Sequence, residues 1–418
     1  MSNINYIHTT LGSTVTSTST SFTESVESAA LTPGTTYYII CHALIEGSSN
    51  AQVFEWQLVD RTNSDAVLTD STLISEPNTS DVSESYHFVG KVTAGSDGGG
   101  IELQQKAASG YTVRTHYVSM LLLDLSNMNT SDYFFATDST GIEHTDSFVS
   151  RASATLTDAK VGDQWLVLGW GAFAMDSTSK AASMALAFTE GGSTSVEPEI
   201  IFEGEDLTEQ LLWTLCRPYT LAASGSVTWA VQSKDPSLHT STPNDYIGST
   251  VFGIKLNVFA DFAQSYDTTG FTNTTSGFQE IKTETFTPSQ TGNNIVIAGA
   301  VHQGANARDR SFFRVQVDGS TTPNAVPDLE VHSLLYDSAD RPGNFYASVF
   351  SGTSGTGHVV DLDGSHDGSA TQGWYDITLA IFSTELNYDA PVVLGRRLGS
   401  RGLFRRGSLR KNLKRLRR

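Results

Sequence analysis

The chain has 418 residues, with 26 Lys and Arg against 45 Asp and Glu, a net charge of −19 and a mean hydropathy of −0.18. Its length excludes a single hydrophobic core, since domains run to roughly 100–200 residues, and no stretch approaches the ~18 apolar residues of a membrane span. The charge is divided unevenly: residues 391–418 hold 11 Lys and Arg and no acid, leaving 15 basic against 45 acidic residues in 1–390, a body of −30 joined to a tail of +11.

In chain order, Met1 to Gly12 lacks a basic region followed by an apolar run, so no export signal is expected and the protein should be made and assembled in a cytoplasm. Phe22 then precedes Leu31–Cys41, which reads as an apolar residue, Thr, a Gly-containing turn and a buried strand. Val53–Val59 alternates as a half-buried strand should. Tyr86–Val92, a Gly-introduced strand at Ile101–Leu103 and an apolar closing strand at Tyr117–Leu125 follow. The layout then recurs. Phe148, Leu156–Leu168, Ser183–Phe188, Leu211–Leu215, Val227–Val231 and Thr250–Val258 form a second series. The third comprises Phe278, Phe286–Ile297, Phe312–Val317, Asn344–Phe350, His358–Leu362 and Trp374–Phe382. Leu31, Leu156 and Phe286 are 125 and 130 positions apart, and each follows its Phe by eight or nine.

Strand-like patterning throughout, with Thr, Ser, Gly, Val, Phe and Tyr common, predicts an all-β chain. The period predicts three tandem β-sandwich, jelly-roll-like domains at 1–130, 131–262 and 263–390, with polar links at 128–137 and 260–268, then a basic C-terminal arm at 391–418. Immunoglobulin-like sandwiches, at about 100 residues, and propeller blades, at about 40–50, fit this period less well. Phe22, Phe148 and Phe278 are expected at equivalent buried sites, and the six Trp residues in the cores. Cys41 and Cys216 fall at non-equivalent positions of different repeats, which predicts two buried free thiols.

Chemical motifs are few. The sequence contains no H-E-x-x-H, G-x-S-x-G, phosphate loop, C-x-x-C or dinucleotide fingerprint. Neither a cofactor nor an enzymatic activity is expected. The His residues, among them His42, His87, His116 and His302, are scattered in or beside strands and read as satisfied or half-exposed sheet positions. Asn78, Asn129 and Asn273 open glycosylation-type triplets and read as turn residues in a chain without an export signal. Asp361, Asp363 and Asp367, around Gly364 and Gly368, partly match a calcium loop. They lack its third alternating ligand and distal Glu, so a β-turn rich in Asp and Gly is the expectation and metal the weaker candidate.

The arm is the candidate partner-binding element, through Arg396, Arg397, Arg401, Leu403, Phe404, Arg405, Arg406, Leu409, Arg410, Lys411, Leu413, Lys414, Arg415, Leu416, Arg417 and Arg418. Its glycines suit an adaptable extended segment. Beyond them, Ser408 can cap a short amphipathic helix with Leu409, Leu413 and Leu416 on one edge, marginal alone and ordered by a partner. A protein dock is favoured over nucleic acid or membrane, because leucines at helical spacing add nothing to phosphate binding and Phe404 is the sole aromatic for base stacking.

A triplicated Ser/Thr/Gly-rich sandwich without an export signal, carrying a separate anchoring terminus, resembles virion structural proteins of tailed bacteriophages, of the head-decoration, fibre or tail-associated adhesin type. The resemblance implies a non-enzymatic virion component, assembled in the host cytoplasm, projecting from the particle and attached to other virion proteins by the tail. It also implies a homo-oligomer, a trimer before a dimer, and possible contact with a surface glycan. The alternatives are a carbohydrate-binding cell-surface protein and, third, a polysaccharide-cleaving enzyme, which a defined carboxylate pair in an aromatic-lined cleft would favour.

Overall fold

The computed structural model describes residues 2–49, 52–75, 82–140, 142–143, 147–174, 180–204, 210–234, 245–273, 277–303, 310–321, 331–334, 343–366 and 372–388. The described part is all β, with no α-helix and two 3-10 turns, at Arg61–Asn63 and Leu256–Val258. None of its helices is long and apolar enough to cross a membrane.

Three eight-stranded sandwiches succeed one another. Sandwich 1 is built from β1 (Asn5–Thr10), β2 (Thr23–Glu27), β3 (Thr36–Gly47), β4 (Phe54–Asp60), β5 (Leu73–Ser75), β6 (Val82–Thr93), β7 (Ile101–Lys106) and β8 (Val113–Asp124). Sandwich 2 follows with β9 (Tyr133–Asp138), β10 (Val149–Ala159), β11 (Gln164–Ala174), β12 (Lys180–Glu190), β13 (Ser193–Gly204), β14 (Gln210–Thr220), β15 (Gly225–Lys234) and β16 (Asp245–Lys255). Sandwich 3 has β17 (Phe262–Asp267), β18 (Gln279–Phe286), β19 (Gly292–Gln303), β20 (Arg310–Val317), β21 (Val331–Leu334), β22 (Gly343–Gly352), β23 (His358–His366) and β24 (Gln372–Ser383).

The pairing order repeats. One sheet of each sandwich runs first-eighth-third-sixth strand, as β1-β8-β3-β6, β9-β16-β11-β14 and β17-β24-β19-β22. The other runs second-seventh-fourth-fifth, as β2-β7-β4-β5, β10-β15-β12-β13 and β18-β23-β20-β21. Every pairing is antiparallel, and two interleaved four-stranded sheets in this order make a jelly roll.

Burial separates the two sheet types. The first type is covered on both faces: β3 is buried from Tyr37 to Gly47, and β19 from Asn294 to His302. These strands read in sequence as unbroken apolar runs, the pattern of a strand with no solvent face. The second type alternates, as in β18, because one face meets water. What covers the second face of the inner sheets is the neighbouring sandwich. One hydrophobic cluster contains Ile40 and Met120 of sandwich 1, Leu168 and Cys216 of sandwich 2, and Ile297 and Phe345 of sandwich 3.

The chain closes on itself at one end. Ser2 and Asn3 pair antiparallel with Leu386 and Glu385, and the Ile4 amide donates to the Thr384 carbonyl at 2.9 Å. The links between sandwiches join the same junction: Asn127 Nδ2 donates to the Asn3 carbonyl at 2.8 Å, Ala260 N to Glu385 O at 2.8 Å and Asn387 N to Val258 O at 2.7 Å. Residues 1–387 accordingly form one compact unit, with 388–418 a separate one.

Several sequence expectations change. The stretches read as polar links each contain the first strand of the following sandwich, β9 and β17. Both are six residues long with no regular alternation, β9 burying Phe134 and β17 half-buried throughout, and they are fixed by pairing with β16 and β24. Phe22, Phe148 and Phe278 do occupy equivalent positions, each immediately before the second strand of its sandwich, but they are half-exposed. A cation lies over each ring instead of a core: Lys106 at 5.5 Å, Lys234 at 4.1 Å and Arg314 at 3.9 Å.

Candidate functional site

The inner sheets meet along a seam stitched by three side-chain to main-chain hydrogen bonds that form a cycle. Ser119 Oγ on β8 donates to the Ala347 carbonyl of β22 at 2.6 Å, from sandwich 1 to 3. Thr378 Oγ1 on β24 donates to the Cys216 carbonyl of β14 at 2.9 Å, from sandwich 3 to 2. Trp170 Nε1 on β11 completes the circuit to the His87 carbonyl of β6, from sandwich 2 to 1, at 2.9 Å. In register Ser119 faces His42, Thr378 faces Gly299 and Thr250 faces Trp170, so in sandwich 2 the indole across from the hydroxyl takes over the donation. Each acceptor lies on the sixth strand of its sandwich, which is the edge of its inner sheet in sandwiches 1 and 3, whereas β14 also pairs with β5 of sandwich 1 at Gln210 and Ile74.

A row of polar groups crosses the seam face of sandwich 1. His8 Nε2 and Ser119 Oγ are 3.0 Å apart, Ser119 faces His42 across β8 and β3, and His42 faces His87 across β3 and β6. The His42 ring lies 5.1 Å from Tyr117 and 5.3 Å from Tyr346, and the His87 ring 6.2 Å from Phe345. Both rings are fully enclosed, and neither has a hydrogen-bond partner at either nitrogen among the described residues. Burial therefore holds them neutral, lowering His87 to about 3 and His8 to about 4. His42 is lowered too, first by burial and then by its neighbours His87 and His8. The expectation of satisfied or half-exposed histidines fails here, because the second sandwich that buries them cannot be read from their own strands. His116 keeps to it, bonding Glu46 Oε2 at 2.8 Å.

Cys41 and Cys216 are free and buried. Trp56, Trp165, Trp170, Trp229 and Trp374 are core residues, as expected, and Trp213 is nearly so.

Asp361 and Asp363 lie within strand β23, correcting the turn reading. Asp361 accepts from Thr283 Oγ1 at 2.6 Å and Asp363 pairs with Arg314 Nε at 3.0 Å. The two lie on one face of the strand, each with its own partner, and Asp367 lies outside the described residues. So does the whole predicted anchor from Arg396 to Arg418.

Two other clusters of chemically capable groups are already engaged. The carboxylates of Glu24, Glu27 and Glu102 converge, but Arg61 pairs with Glu102 at 3.1 Å, and the Gly100 amide donates to Glu27 at 2.7 Å. His358 Nδ1 meets Asp318 Oδ2 at 2.7 Å, yet its Nε2 accepts from the Thr353 amide at 3.0 Å, which leaves no free nitrogen for proton transfer.

Between sandwiches 1 and 2 lies an open groove of about 420 Å³, with Asp70, Lys91, Phe135, Thr137 and Thr250 among its walls. Burial and the neighbouring Asp138 push the Asp70 carboxyl up to about 6. Sequence reasoning missed this groove. Its walls come from β4, β6, β9, β11 and β16 and from the segment after β4, and no local motif marks them.

No protein-family model matches this sequence, and no curated relative matches it. Among solved structures the chain is similar to the triple jelly roll of an archaeal virus turret, at 9% identity over 89% of this chain and 83% of that one, with a TM-score of 0.18. It is also similar to a chain of infectious bursal disease virus Gt strain, at 9% identity over 90% and 82%, TM-score 0.23. A third is the tandem CBM22 module of Paenibacillus barcinonensis Xyn10C, at 7% over 59% and 93%, TM-score 0.20. Likeness at this level concerns the strand pattern alone.

Proposed function

We propose that this protein is a non-enzymatic structural component of a virion, a decoration, fibre or adhesin whose acidic body projects from the particle and whose basic tail attaches it to other virion proteins. The observation that carries the reading is closure. The first residues of the chain pair with residues 385 and 386, so the start of sandwich 1 is tied to the end of sandwich 3 within one unit. Such a body is suited to bearing load and display. The second support is the division of charge between a body of −30 and a tail of +11. Particle attachment would use the leucine edge of the tail in a protein groove, with nucleic acid or membrane the lesser partners, and copies of the chain would associate, as trimers first.

Removing residues 391–418 tests this. The body should stay folded, since its last strand pairing ends at Leu386, while incorporation into particles should be lost. Replacing Leu409, Leu413 and Leu416 with Ser should remove most of the binding, at roughly 1.5 to 3 kcal/mol per buried leucine. Wild-type incorporation of the tail-less chain would sink the proposal.

A further inference from the structure

Two grooves between neighbouring sandwiches are built from equivalent strands and filled differently. Between sandwiches 2 and 3, Tyr266 on β17 pairs in register with Thr378, and its hydroxyl donates to Asp376 Oδ1 at 2.5 Å. The Arg217 guanidinium of β14 lies 4.5 Å over the Tyr266 ring. Beside Asp376, between β14 and β19, a space of about 10 Å³ is left, no more than one water could use.

Register fixes the corresponding positions between sandwiches 1 and 2. Thr137 pairs with Thr250 on β16 as Tyr266 pairs with Thr378 on β24. The next residue confirms the match, since Asp138 accepts from Thr140 and Asp267 from Thr269 in the same turn. Thr137 thus stands where sandwich 3 has Tyr266, and Gly248 where it has Asp376. The cation over an aromatic ring sits two residues earlier on the strand, with Lys91 4.8 Å over Phe135. The space a tyrosine ring fills in one groove is open in the other, and its volume of about 420 Å³ falls within the ~300–1,000 Å³ of small-molecule sites.

A carboxylate nevertheless enters the open groove, from the opposite wall. Asp70 is held at φ 61°, over the bare backbone of Gly248, where an added Cβ would come within 2.2 Å of its Oδ2. Asp376 has the Tyr266 phenol as donor; Asp70 accepts no hydrogen bond from a described residue. Thr137, Thr250, Thr93 and Asn63 are among the other polar residues that line the groove.

We propose that the groove between sandwiches 1 and 2 binds a neutral glycan, one sugar ring lying where the Tyr266 ring lies in the neighbouring groove and donating a hydroxyl to Asp70. A sugar ring supplies what the missing tyrosine would: a flat face of C–H groups beside Phe135 and a hydroxyl donor. The body's charge of −30 opposes anionic sugars. The proposal is binding without cleavage, the other carboxylates near Asp70 being hydrogen-bonded within their own turns. Asp60 is occupied by Thr62 at 2.9 Å and Asn63 at 2.7 Å, and Asp138 by Thr140 at 3.0 Å. The proposal does not rest on the virion reading.

Saturation-transfer NMR on the full chain with maltose, cellobiose, lactose and N,N′-diacetylchitobiose tests it, alongside two variants. Thr137→Tyr reproduces the filled groove at an exposed position and should fold normally; Asp70→Asn weakens the acceptor. At least one disaccharide should bind the wild type in the millimolar range typical of small, shallow sites. Thr137→Tyr should weaken it more than about tenfold, and Asp70→Asn by about three- to tenfold, the loss of one charge-assisted hydrogen bond, with melting temperatures unchanged and every sugar recovered intact. Absence of binding by all four, or equal binding by Thr137→Tyr, overturns the assignment. Hydrolysis of a bound sugar would overturn it in favour of an enzyme, and capture of a Tyr- and Arg-containing test peptide in place of the sugars, lost in Thr137→Tyr, in favour of a peptide site.

Discussion

The inner and outer sheets of each sandwich share one topology and differ in what they bury. In β3 both faces of the strand are enclosed, one by its own sandwich and one by the seam; in β18 every other residue is exposed. The difference teaches where stability resides. An inner-sheet strand takes part in two packings at once, its alternate residues facing its own sandwich and the seam, so losses along it should be felt in both. An outer-face residue belongs to one packing and to water. The polar groups follow the same division: outer ones bond to solvent and to ion partners, whereas the His42 and His87 rings lie enclosed without hydrogen-bond partners among the described residues.

Breaking the inner sheet at its largest side chain should give the largest effect. Trp170→Ala removes a buried indole and the bond to the His87 carbonyl, and should cost about 3 to 5 kcal/mol in chemical denaturation. A cost no larger than that of an outer-sheet Phe→Ala change would show that the seam contributes nothing extra.

Acid should act on the seam as well. The neutral forms of His8, His42 and His87 are held in the folded state, with His8 and His87 titrating near 4 and 3 against 6.5 in the unfolded chain. Below pH 6.5 the unfolded state therefore binds protons that the folded state refuses. Stability should fall as pH drops from about 6.5 towards 3 to 4, by about 1.4 kcal/mol per pH unit for each such histidine. Denaturation midpoints of wild type and His87→Leu across pH 7 to 4 check this, because the variant should show a shallower slope. Parallel slopes would contradict it.

Smaller effects are expected from the outer sheet. Phe148→Ala removes a half-exposed ring beneath Lys234 and should cost about 1 to 2 kcal/mol, well below a core aromatic. A loss equal to that of Trp170→Ala would mean that the equivalent Phe positions are core after all. Least of all, Ser119→Ala deletes one of the three seam bonds without removing bulk, at about 0.5 to 1.5 kcal/mol. Thr250→Val should cost less than Thr378→Val, since in sandwich 2 it is Trp170 that makes the seam bond; comparing their melting temperatures checks the cycle directly.

Much of the fold was legible because its signals are local. The Leu31, Leu156 and Phe286 turns, the unbroken runs that became β3, β11 and β19, and the alternation in β20 each announce a strand and the number of its faces that meet water, whereas β4 alternates in sequence and yet only Glu55 of it escapes burial. The first strand of each sandwich was missed because these strands are short and carry mixed residues, such as Phe-Ala-Gln-Ser-Tyr-Asp in β17, and their pairing with distant strands such as β16 and β24 leaves no local mark.

The sequence by itself determined the all-β class, the triplication, the buried thiols and tryptophans, and the separation of an acidic body from a basic tail, since composition and short-range periodicity suffice for each. Only the tertiary structure decided that the sandwiches close on residues 2 and 3, that His42 and His87 are sealed in by Tyr346 and Phe345, and that a groove lies open beside Thr137 while its counterpart is filled by Tyr266. These depend on which residues meet across separations such as the 228 positions between Ser119 and Ala347. Burial, protonation and cavity shape belong to the pair that meets, and neither partner's local sequence names the other.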